Sequence, residues 1–110
     1  MTRQELIKLI GDVITRLDIL RGGLLPEDPR RHVLDLLRND LDGRQLQLVK
    51  NAFDENTPVF QSATEQLKSI NSDLKQTLND INALATTLNN LQRFVSAVDN
   101  IVGVALGVFA

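Results

Sequence analysis

From Phe60 onward an apolar residue returns at every seventh position: Leu67, Leu74, Ile81, Leu88, Val95, Val102 and Phe109. A second series runs three residues behind it through Ala63, Ile70, Thr77, Leu84, Leu91, Val98 and Ala105, its polar member Thr77 standing beside Leu78. Side chains at this spacing share one stripe of an α-helix, so the pattern calls for a helix whose stripe other helices cover. No Gly or Pro falls between Val59 and Val102, and a hairpin at Asn89-Asn90 would ordinarily reset the phase, which runs straight through. The reading is one continuous helix over 58–109, opened by Thr57 as N-cap and Pro58 at the first helical position.

The first half reads as shorter helices. Thr2 and Glu5 have the spacing of a capping box, and Leu6, Ile10, Val13, Leu17 and Leu20 follow at helical intervals until Gly22-Gly23. Glycine readily takes the left-handed conformation that ends a helix. Asp28-Pro29 opens a second helix with Val33, Leu34, Leu36, Leu37 and Leu41 as its buried face. Asp42-Gly43 reads as a turn, and Leu46, Val49, Ala52 and Phe53 mark a third helix. The expected organisation is an all-α chain: an N-terminal helical unit of about three short helices over 1–56, then a long amphipathic, coiled-coil-like helix over 57–110.

Length then sets a constraint. Fifty residues at ~1.5 Å each make a rod of roughly 75 Å, whereas the first helix spans only about 30 Å. The N-terminal helices cover part of such a rod, and the remaining seam needs another chain or a membrane. The residues expected to carry that contact are Phe60, Leu67, Ile70, Leu74, Ile81, Leu84, Leu88, Leu91, Val95, Val98 and Val102. Acidic Asp73, Asp80 and Asp99 are the charges flanking the seam, so no plus–minus code specifies a pairing.

Chemistry finds little to work with. There is no Cys and one His, His32, with no recognisable nucleophile or orienting acid beside it. From Arg38 to Val49, Asp40, Asp42 and Gly43 match the middle of a calcium loop, but Arg38 and Val49 occupy the end positions that need carboxylates. Arg30, Arg31, Arg38, Arg44 and Lys50 are interleaved with Glu27, Asp28, Asp35, Asp40 and Asp42, and the net charge is −2, which argues against nucleic acid. Gly22-Gly23 is not followed by a phosphate-loop Lys. The expectation is therefore a protein that is not an enzyme, with no catalytic, cofactor or metal residues and no small-molecule substrate.

Charge is unevenly spread, with nineteen of the twenty-six charged side chains in 1–58. The chain end carries none: Ile101 to Ala110 has no polar side chain, and Phe94, Ile101, Leu106 and Val108 widen the apolar stripe. Gly103 and Gly107 have the spacing that lets helices approach closely, notably in membranes. Ten residues reach only about 15 Å, half of a ~30 Å hydrocarbon core. Two readings follow. The first is a non-enzymatic protein–protein interaction or oligomerisation module acting through its heptad seam, with itself or another helical protein as partner. The second is a membrane-active helical protein, pore-forming or anchoring, whose tip meets lipid through Phe94, Ile101, Gly103, Leu106, Gly107, Val108 and Phe109. Arg3, Glu5, Lys8 and Asp12 interrupt the N-terminal apolar residues, so no signal peptide is read and the expected location is cytoplasmic, at a membrane under the second reading.

Overall fold

A computed structural model describes residues 1–107. Among these residues the secondary structure is helical throughout: α1 (Arg3–Gly22), α2 (Pro29–Lys50), α3 (Pro58–Thr77), a 3₁₀ turn (Ile81–Ala83) and α4 (Leu84–Leu106). The caps expected at each start are in place. Glu5 N donates to Thr2 Oγ1 at 3.1 Å and Thr2 N to Glu5 Oε1 at 3.3 Å, closing the capping box. Arg30 N donates to Asp28 Oδ1 at 2.9 Å, and Phe60 N to Thr57 Oγ1 at 3.2 Å. The end of α1 differs from expectation. Gly23 sits at φ −85°, and the helix closes by tighter bonds from Gly23 N to Leu20 O and Leu24 N to Arg21 O.

Two larger corrections follow. Asp42-Gly43 does not turn the chain, and the expected second and third helices are one. Leu34, Leu41 and Leu48, spaced by sevens, are each buried on one side of α2. A glycine inside a helix costs only about 0.5–1 kcal/mol, less than the ~1.5–3 kcal/mol gained by burying any one of those leucines.

The long rod is absent. The chain reverses over 78–83 and α4 returns along α3. Thr77 and Asp80 provide the reversal: Asp80 N bonds to Thr77 O, Ala83 N to Asp80 O, and Asn82 N to Asp80 Oδ1 at 2.9 Å. The local bonds offered by Asx side chains outcompete helix continuation where doubling back also buries both halves of the stripe. At the far end Gly107, at φ +70°, caps α4 with its N–H on Gly103 O.

α1 packs against α2, α3 against α4, and α2 against α4. Long-range hydrogen bonds give the directions. Met1 meets Gln61 and Arg16 meets Asn79, so α1 and α3 run the same way, while α2 and α4 run the other. One core cluster draws on every helix, including Leu6, Ile10, Leu17, Leu34, Leu41, Phe60, Leu67, Leu91, Phe94 and Val98. The connection over 51–57 is held by Phe53 stacking on Phe60, ring centres 5.3 Å apart, with the Arg3 guanidinium over Phe53. Arg3 also donates to Leu48 O and Val49 O, satisfying carbonyls at the end of α2.

Candidate functional site

The seam residues are spent inside the chain. Phe60, Leu67, Leu74, Leu84, Leu91 and Val98 are at most 1% exposed, Val95 and Val102 are buried, and Ile70 and Leu88 are half-buried. Ile81 alone of that set is exposed, at the turn. The uncovered length that called for a second chain is therefore not there. The flanking residues assigned to a membrane tip are also in the core: Phe94, Ile101 and Gly103 are buried and Leu106 is half-buried. Gly107 is exposed, and Val108 and Phe109 lie outside the described residues. Among the described residues no helix is long and apolar enough to cross a membrane.

Inside the α3–α4 hairpin a polar layer accompanies the apolar one. The fully buried Thr87 donates to Thr77 O at 3.0 Å. Asn90 Nδ2 lies 3.5 Å from Asp73 O, and Arg93 reaches the Asp73 carboxylate at 3.4 Å and Asn90 Oδ1 at 3.2 Å. These bonds fix how far α4 slides along α3, because any other register leaves the groups unpaired.

A second cluster joins α2 to α4. Arg44 Nε stands 2.7 Å from Asp99 Oδ1 and 3.8 Å from Asp40 Oδ1, while Asp40 Oδ2 is buried without a partner. Burial raises the Asp40 carboxyl above the usual carboxylate range, the neighbouring Asp99 carboxylate raises it further, and Arg44 opposes them. The basic residues singled out from sequence are largely engaged in this way: Arg30 pairs with Asp28 and Arg38 with Asp18. Arg38 to Val49, the calcium-like stretch, is helix throughout. His32 is exposed in the first turn of α2.

What remains open is one side of the bundle. Between α1 and α3, the neighbouring pair whose backbones approach least, lies a groove of about 440 Å³ lined by Leu9, Asp12, Val13, Thr15, Arg16, Ile19, Asn71, Lys75 and Leu78. Ile19 on its rim is 72% exposed. At its base Asn71 is 92% buried, yet its Oδ1 has no hydrogen-bond partner. The charges here differ from those elsewhere between helices. Arg21–Asp35, Arg38–Asp18, Arg44–Asp99 and Arg93–Asp73 bridge helix pairs, whereas Asp12, Arg16 and Lys75 have no ion-pair partner among the described residues. Sequence reasoning missed this groove because α1 read as a plain amphipathic helix. The one available sign was Ile19, an isoleucine off the Leu6–Leu20 stripe.

A second exposed feature runs along α2. Leu36, Leu46 and Val49 are each more than half exposed on its outer stripe, and a side chain at Gly43 between them would meet nothing. The chain matches no family model, and no curated protein and no solved structure is detectably similar to it.

Proposed function

We propose that the protein is a non-enzymatic helical module that self-associates through an outer face of its bundle, the heptad residues serving its own core. The observation that carries this reading is the opening between α1 and α3. It combines a 72%-exposed Ile19, the apolar walls of Leu9, Val13 and Leu78, and unpaired charges of both signs on one face. Apolar surface left in water costs about 25 cal/mol per Å², and contiguous apolar patches rimmed by polar groups mark interaction sites. The groove fits helix packing better than chemistry, since its polar groups are spread along its length and do not converge on a point.

Light scattering of the full chain at micromolar concentration tests it. The expected mass exceeds the 12.2 kDa of one chain and grows with concentration, and Ile19→Asp lowers it while leaving the helical signal intact. A mass fixed at one chain across the range would overturn the reading.

A further inference from the structure

On the reading of self-association, we propose that the occupant of the α1/α3 groove is the same face of a second copy, docked with the two α1 helices antiparallel about a two-fold axis at the level of Ile14. The groove-lining residues of α1 are arranged symmetrically about that level. Leu9 and Ile19 lie equally far on either side of Ile14, and so do Asp12 and Arg16. On a helix all four fall on one broad stripe, because their spacings of three and four residues each return close to a full turn. A two-fold axis crossing the stripe there sets each Leu9 against the partner's Ile19. It also sets each Asp12 against the partner's Arg16, so that these four positions find their complements twice. A two-fold interface requires such a self-complementary patch.

Two further observations favour a second copy. Asp12 and Arg16 are one helical turn apart, the spacing at which opposite charges commonly pair, yet they form no ion pair. Arg16 instead reaches Asn79 Oδ1 at 3.1 Å in an exposed bond, which costs little to exchange for a carboxylate. Finally, the bundle measures 42 × 23 × 22 Å, so one side of it has room for the ~800 Å² per partner that a standard interface buries.

Charge reversal tests the arrangement. Sedimentation equilibrium is run on the full chain, on Asp12→Arg, on Arg16→Asp and on the double variant Asp12→Arg with Arg16→Asp. Circular dichroism confirms that each keeps its helix content, as expected for positions exposed in the monomer. Each single change replaces two attractive contacts with two repulsive ones and is expected to weaken the dimer about tenfold or more. The double variant exchanges the signs and is expected to return the affinity to near that of the native chain. A dimer indifferent to both single changes overturns this geometry while leaving self-association standing. A chain that stays monomeric throughout overturns the functional reading itself.

Discussion

Asp40 on α2 and Asp99 on α4 face one guanidinium between them, that of Arg44, which stands 2.7 Å from Asp99 and 3.8 Å from Asp40. Two carboxylates and one cation leave a negative charge in excess at a half-buried contact, and Asp40 bears the cost because burial and Asp99 both favour its neutral form. A carboxyl raised in the folded state contributes stability that is complete below the usual carboxylate range. That stability is lost as pH rises through the raised folded value. Asp40→Asn cannot ionise and keeps the contribution. It is expected to be more stable than the native chain at neutral pH, by up to about 1 kcal/mol after solvent screening. The gap should close on acidification through the carboxylate range. Urea unfolding at the two pH values measures it, and a variant less stable at neutral pH would show that Arg44 holds Asp40 charged.

Gly43→Ala is expected to stabilise the chain by about 0.5–1 kcal/mol, because the residue lies inside α2 and an added Cβ meets nothing within the bundle. Thermal unfolding at low protein concentration reads the monomer. A lower midpoint there would mean that the helix is distorted at this point.

In α4, Leu91 is fully buried while Asn89, two residues away, is exposed. Leu91→Asp is expected to cost roughly 3 kcal/mol or more, a large share of the ~5–15 kcal/mol by which a domain is stable, whereas Asn89→Asp should cost under about 0.5 kcal/mol. Denaturant midpoints compare the two. Equal tolerance would place Leu91 outside the core and refute the hairpin.

Vesicles give a fourth measurement. Since Phe94, Ile101 and Val102 are already packed inside the bundle, flotation with anionic liposomes is expected to leave the protein in the unbound fraction at neutral pH. Cosedimentation with vesicles would require α4 to leave α3 and would revive a lipid-facing role for the chain end.

The starts of α1, α2 and α3 were readable because each is decided locally. Thr2 with Glu5, Asp28 with Pro29 and Thr57 with Pro58 satisfy free N–H groups within a turn, whatever the rest of the chain does. Gly43 misled because a turn dipeptide is a weak local preference, and Leu34, Leu41 and Leu48 ran through it at one spacing. The reversal at 78–83 was hidden by a coincidence of phase, since the two seven-residue series continue across it. Its trace lies on the flanks. In α3 the buried flank is Thr64, Asn71 and Leu78, each one residue after the second series; in α4 it is Thr87, Phe94 and Ile101, each one residue before the first. A single straight stripe does not change sides, so this switch marks two helices. Apart from Ile19 standing off the stripe, the groove left no trace in the sequence, because it depends on which helices become neighbours, and α1 meets α3 only through residues some sixty positions apart.

That separation also orders events in time. The α1–α2 and α3–α4 pairs each close over a short connection, so little loop entropy opposes them and they are expected to form early. The α1/α3 side closes last, across contacts such as Met1 to Gln61 that span 60 residues. With few packed backbone contacts to hold it, that side is expected to reopen most often, and amide hydrogens along α1 should exchange with solvent faster than those in the middle of α4. The face proposed to take a second copy is thus expected to be the part of the molecule that moves most, and capture by that copy would slow its exchange as well as cover it.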